Sequence, residues 1–146
     1  MRYMELGGSG IRISKMGLGT WAIGGGPAWG GGPDENAAED TIVEAVNVGM
    51  NMIDTAGNSE RVVGRALARL DRSRVVLVTK CGVVWDRKGT AWNKVGDRQL
   101  YRLLPPESVR LEIEESLERL GTDYIDLYMT HWPSVEPYLT PISETA

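Results

Sequence analysis

The chain has 146 residues and a mass of 16.0 kDa, a length that suits one compact domain. With 42% hydrophobic and 25% charged residues it can bury a core, which excludes wholesale disorder. Sixteen basic against twenty acidic residues leave a formal charge of −4, which argues against a nucleic-acid binder, whose phosphate contacts call for a basic face.

Tyr3 to Leu6 and Ile11 to Ser14 read as a β-hairpin joined by Gly7-Gly8-Ser9-Gly10. Met16-Gly17-Leu18-Gly19-Thr20 reads as a buried strand whose glycines mark close approach by another backbone or a ligand. Residues 24–33, GGGPAWGGGP, hold six of the 18 glycines and form a low-complexity loop. That loop lacks the Lys-Ser/Thr ending of a phosphate loop and the strand-turn-helix spacing of a GxGxxG cradle. A first helix follows, capped by Asp34 or Asn36, with Ala38, Ile42, Ala45 and Val46 on one face and Gly49 at its end. Met50 to Asp54 is a short apolar strand ending on a carboxylate. A second helix then begins, with Ser59 as N-cap and Val62, Val63, Ala66, Leu67 and Leu70 as its apolar stripe.

The β-branched run Val75 to Thr79 predicts a strand buried on both faces, as in a parallel sheet covered by helices, and it ends on Lys80. Gly82 to Leu104 reads as a polar loop of about twenty residues containing Trp85 and Trp92, long enough to be functional or mobile. A third helix opens at Pro105-Pro106-Glu107, lines one side with Val109, Ile113, Leu117 and Leu120, and stops at Gly121. Tyr124 to Met129 is a fourth strand, followed by Thr130-His131-Trp132-Pro133. Thr140-Pro141 with Ser143 and Glu144 opens another helix, so the chain is expected to be truncated at the start of its fourth helix. A β-hairpin followed by β-α-β-α-β-α-β predicts a parallel sheet with right-handed crossovers.

Polar residues gather where these strands end: Thr20 and Trp21, then Asp54, Lys80 and His131. In a parallel α/β sheet those positions share one rim, where barrels and open sheets place their chemistry. A carboxylate, an ammonium and an imidazole together suit acid-base work. Each also has a plainer reading alone: Asp54 as a turn cap, Lys80 as a solvated strand end, His131 as a hydrogen-bonded structural residue. Their conjunction on three successive strands favours the functional reading.

The same residues resemble the aldo/keto reductases. The resemblance is carried by Gly17-Leu18-Gly19-Thr20-Trp21, Ile53-Asp54-Thr55-Ala56, Ser59-Glu60 with Val63-Gly64, and Thr79-Lys80. It continues through Leu117 to Leu120 with Gly121-Thr122-Asp123-Tyr124-Ile125-Asp126, His131-Trp132-Pro133, and Pro141-Ile142 with Glu144-Thr145. It covers essentially the whole chain in order and is similar to bacterial reductases of small aldehydes and dicarbonyls such as methylglyoxal. It implies an incomplete (β/α)8 TIM barrel, about four β/α units preceded by a β-hairpin, spanning residues 1–146 as a partial NAD(P)-dependent oxidoreductase domain. It implies Asp54, Lys80 and His131 as catalytic positions, and Gly19, Thr20, Trp21 and Asp54 near an NADP or NAD cofactor. Trp21 and Trp132 are implied to line the pocket for a small carbonyl substrate, with no metal. In the family a tyrosine protonates the alkoxide that hydride transfer creates; a lysine lowers that tyrosine's pKa, and an aspartate pairs with the lysine.

This sequence departs from the pattern at one place that matters. The family's tyrosine follows the Asp-Thr-Ala motif by a few residues, whereas here Asp54-Thr55-Ala56 runs into Gly57-Asn58-Ser59-Glu60. Tyr3, Tyr101, Tyr124, Tyr128 and Tyr138 all lie in other segments. Either the loop is shortened in this protein or residues are left out of the sequence between Ala56 and Gly57. The implied activity of this chain is therefore impaired reductase chemistry. The rival is a non-catalytic half-barrel, a pseudoenzyme or assembly module that self-associates through exposed sheet edges. A third reading uses Asp54 and Lys80 for Schiff-base chemistry. The lone Cys81 cannot form an internal disulfide or a structural zinc site by itself, no apolar run reaches the roughly 18 residues of a membrane span, and a cytoplasmic location is expected.

Overall fold

The computed structural model of the chain describes residues 1–25 and 34–132. Its centre is a four-stranded parallel sheet in the order β3 (Leu18–Gly19), β4 (Met52–Asp54), β5 (Val76–Cys81), β9 (Leu127–Thr130). The registers Gly19↔Asp54, Asp54↔Val78 and Lys80↔Met129 bring the strand ends to one rim. Helices α1 (Glu35–Asn47), α2 (Glu60–Leu67) and α3 (Pro106–Leu120) connect the strands, as the alternating sequence predicts. The N-terminal hairpin is β1 (Tyr3–Glu5) against β2 (Arg12–Ser14). Asn51 ties it to the start of β4, accepting from Ser14 N at 2.6 Å and donating to Arg12 O at 2.8 Å.

The core lies between the sheet and the helices. Ile42 of α1, Ile53 of β4, Val63 and Ala66 of α2, Leu77 of β5 and Leu120 of α3 are fully buried in one cluster. Burying a side chain of this size stabilises by roughly 1.5–3 kcal/mol, so the apolar stripes choose which helix face meets the sheet. The predicted stripes of α1 and α2 are the buried ones, except that Leu70 lies beyond the end of α2 and is partly buried. Asp34 caps α1, accepting from the backbone N–H groups of Asn36 and Ala37.

Five sequence expectations are corrected. Ser59 stands at the N-cap of α2 but makes no capping bond, because its hydroxyl pairs with Thr20 and Thr55 instead. The buried face of α3 is Ser108, Glu112, Ser116 and Leu120, while Val109, Ile113 and Leu117 are half-buried one position around the helix. Glu112 tolerates burial because its carboxylate accepts from Gly82 N (2.8 Å) and the Ser108 hydroxyl (3.0 Å). The fourth strand begins at Leu127 rather than Tyr124. Arg72 holds the preceding segment instead, donating to the Tyr124 carbonyl and Asp126 carboxylate and lying 3.9 Å from the Tyr124 ring centroid.

The fourth correction concerns the long polar loop, which folds into a second sheet. Strands β6 (Val83–Val84), β7 (Thr90–Val95) and β8 (Arg98–Arg102) form an antiparallel sheet in the order β6-β8-β7. A two-residue turn, Gly96-Asp97, joins β7 to β8. Every residue of β7 is exposed, so the alternation that announces a half-buried strand is missing. The fifth is the end of the strongest strand: β5 runs through Lys80 to Cys81, so Lys80 lies inside the strand. Most of the glycine-rich loop and all of the expected fourth helix fall outside the described residues.

Candidate active site

Asp54 is the last residue of β4, and Lys80 lies one strand over on β5. The Lys80 ammonium donates to Asp54 Oδ1 at 2.5 Å and to the Thr55 carbonyl at 3.0 Å. The lysine side chain is mostly buried, whereas the aspartate side chain is 41% exposed. An ion pair that open to water stabilises a fold by about 1 kcal/mol or less, so stability does not account for an ammonium held at the rim. What the geometry achieves is a fixed cation with two acceptors on one side and the rim on the other.

A buried hydroxyl cluster stands beneath the pair. Thr20 Oγ1 donates to the Asp54 carbonyl at 3.0 Å, and the Ser59 hydroxyl lies 2.9 Å from Thr20 Oγ1 and 2.8 Å from Thr55 Oγ1. One residue on, the fully buried Glu60 accepts from the Thr79 hydroxyl and from Arg119 Nε, each at 2.6 Å. The turn after β4 is thereby fixed to β3, β5 and α3 together. The turn itself is tight, with Ser59 N donating to the Ala56 carbonyl at 2.9 Å, and no tyrosine side chain is present in it. Trp85 packs its ring edge on that turn so closely that a Cβ on Gly57 would stand 3.1 Å from it.

His131 follows β9 and continues its pairing, its backbone N–H donating to the Cys81 carbonyl at 2.9 Å. The residue keeps an exposed edge, yet crowding around the ring pushes the imidazole pKa below its ordinary value. The Lys80 ammonium pushes the same way, and Asp54 opposes them. At neutral pH the ring is therefore uncharged and offers one N–H donor. Trp132 lies beside it, the two rings nearly parallel with centroids 6.2 Å apart.

The structure thus places Asp54, Lys80 and His131 within electrostatic reach of one another on one rim. Gly19 ends β3 opposite Asp54, Trp21 is 65% exposed just beyond, and Trp132 lies next to His131. The Thr20 side chain is fully buried and turned to Ser59, so only its backbone is left to face the rim. Sequence reasoning assigned no role to Glu60 or Arg102, and it did not anticipate that Thr20, Thr55 and Ser59 pair with one another or that Trp92 meets Trp132. The Ser59-Glu60 dipeptide after Asp54-Thr55-Ala56 was the available signal for the hydroxyl cluster and Glu60. Among the described residues no three His, Cys, Asp or Glu side chains gather to hold a metal ion, and no helix is long and apolar enough to cross a membrane.

Comparison with known proteins identifies the family and the fold. The model of the aldo/keto reductase family matches residues 15–146. The chain is 60% identical over 150 positions to an NADH-specific methylglyoxal reductase of Escherichia coli (strain K12), covering 99% of this chain and 46% of that protein. It is 43% identical to an aldo-keto reductase of Bacillus subtilis (strain 168), covering 100% of this chain and 41% of the relative. Among solved structures, the glycerol dehydrogenase of Gluconobacter oxydans superposes with a TM-score of 0.77 at 38% identity, over 98% of this chain and 42% of that one. The chain thus spans about half the length of the curated relatives it matches, and its four parallel strands with their helices are an incomplete (β/α)8 barrel. The first alignment is 150 positions long against 146 residues here, so the E. coli protein carries at least four residues without a counterpart.

Proposed function

We propose, for a chain that belongs to the aldo/keto reductase family, that residues 1–146 are a partial barrel domain serving NAD(P)H-dependent reduction of small aldehydes and ketones to alcohols. The observation that carries this reading is the Lys80 ammonium held by Asp54 at 2.5 Å on the rim that also carries His131. The similarity to an NADH-specific methylglyoxal reductase supports a small dicarbonyl as substrate and NADH as donor. A cytoplasmic setting suits the chain, where the buried free thiol of Cys81 stays reduced.

The rim fits a nicotinamide. Among the described residues no atom lies within 4 Å of where a Cβ on Gly19 would stand, and Trp21 is 65% exposed. Gly19, the Thr20 backbone and Trp21 would hold the ring beside Asp54. When bound, the reduced nicotinamide supplies a hydride. Asp54 holds the Lys80 ammonium in place, and the Lys80 and His131 N–H groups polarise the carbonyl oxygen. The developing alkoxide takes a proton from the Lys80 ammonium, which is replenished from water. A general acid of matched pKa is worth typically 10²–10⁴-fold, so a site without the family's tyrosine turns over slowly.

The test is NADH oxidation by the purified chain with methylglyoxal, beside a variant carrying a tyrosine-bearing loop between Ala56 and Gly57. The expected result is slow turnover that the inserted loop accelerates. Robust turnover by the unaltered chain overturns the impairment. A second reading, a non-catalytic module that assembles through its edges, is favoured by β3 and β9 each pairing on one side only among the described residues. A clean monomer in sedimentation counts against it.

A further inference from the structure

The second sheet stands beside the site, and one of its side chains has an unusual setting. Arg102, on the central strand β8, is only 5% exposed. Its guanidinium carbon lies 4.9 Å from the ring centroid of Trp92 on β7 and 5.0 Å from that of Trp132 beyond β9. The two indole centroids are 5.1 Å apart with planes inclined at 59°, so the cation is shared between two π faces. The backbone of Arg102 is held on both sides, in register with Val83 of β6 and Thr90 of β7.

We propose that Arg102 is a positioning residue for the site: clasped by Trp92 and Trp132, it fixes the Trp132 indole and through it the plane of the His131 imidazole. The functional consequence rests on the reading of the rim given above, while the geometry stands without it. Among the described residues the imidazole nitrogens of His131 make no hydrogen bond, and the residue is tied down through its backbone N–H. Among the described residues it is packing that orients the ring, and the indole 8° from parallel lies beside it. A planar guanidinium suits this task better than an ammonium, because it stacks on aromatic faces and is more weakly hydrated.

The chain has one histidine, so its ring-proton resonances report the arrangement directly. In the unaltered chain, NOEs are expected between the Arg102 side chain and the indole protons of both Trp92 and Trp132, with the His131 resonances displaced by the ring current of Trp132. Arg102→Met is expected to abolish that displacement and change the His131 titration midpoint, while Arg102→Lys retains part of both. An Arg102→Met protein that is folded by circular dichroism and leaves the His131 resonances and midpoint unchanged overturns the proposal. So does the absence of the NOEs in the unaltered chain, which decides the matter if the variants do not fold. Failure of the reductase assay leaves these resonances untouched, so the two readings fail separately.

Discussion

Replacing Glu60 with alanine tests the deepest electrostatic feature of the fold. The carboxylate is fully buried and accepts from the Thr79 hydroxyl and Arg119 Nε at 2.6 Å each. Its removal leaves the guanidinium of Arg119, mostly buried itself, with a 3.2 Å bond to Ser116 Oγ and a 3.8 Å approach to Glu115. Breaking a buried pair from one side costs about 3–5 kcal/mol, a large share of the ~5–15 kcal/mol that holds a domain together. With a urea slope of about 1–3 kcal/mol per molar, the unfolding midpoint is expected to fall by about 2 M. Glu60→Gln keeps an oxygen for Thr79 while removing the charge, so its midpoint is expected between the two. The assay is equilibrium urea denaturation followed by circular dichroism and tryptophan fluorescence together. An alanine variant whose midpoint drops by less than about 0.5 M, with the slope unchanged, would show that this pair does not fix α2 against β5 and α3.

Three further outcomes rest on the site and its supports. The imidazole of His131 is expected to titrate below the ~6.5 of an ordinary histidine, because the crowding that strips water from its ring and the Lys80 charge both disfavour its charged form. Its contribution to stability is then present above that ordinary value and is lost as pH falls through it towards the folded midpoint, since the unfolded chain takes up the proton first. Lys80→Met is expected to raise the midpoint, as the repulsion goes and the pull of Asp54 stays; a lower midpoint by NMR titration refutes the electrostatic account. Gly64→Ala would place a Cβ 2.6 Å from the Arg119 carbonyl oxygen and 2.9 Å from that of Leu120, backbone atoms that cannot step aside. Forcing α2 and α3 apart is expected to cost roughly 1–3 kcal/mol, and an unchanged melting temperature contradicts the close contact.

Much of the barrel was legible in the sequence because its signals are local. The run Val75 to Thr79 is apolar on both faces of the pleat, so it reads as a central strand wherever it sits, and the spacing of Ala38, Ile42, Ala45 and Val46 assigns a helix face. The second sheet was not legible, since β7 buries nothing and its pairing with β8 depends on a turn rather than on a pattern. The face of α3 was misread for a related reason. Apolar periodicity points to Val109, Ile113 and Leu117, whereas Glu112 takes the inner position because Gly82 N–H and Ser108 are there to receive its carboxylate.

The sequence by itself determined the order of the parallel strands and their helices and the polar residues at or near the strand ends, because periodicity and chain punctuation need only neighbours along the chain. It also shows Asp54-Thr55-Ala56 running into Gly57-Asn58-Ser59-Glu60 with no tyrosine between them. Only the tertiary structure decided which of those strand ends share charge and hydrogen bonds. Lys80 meets Asp54 across two strands 26 residues apart, Glu60 meets Arg119 across 59, and Arg102 meets Trp92 and Trp132 from a separate sheet. Such contacts are set by strand register and helix packing, which fix distances that spacing along the chain does not contain.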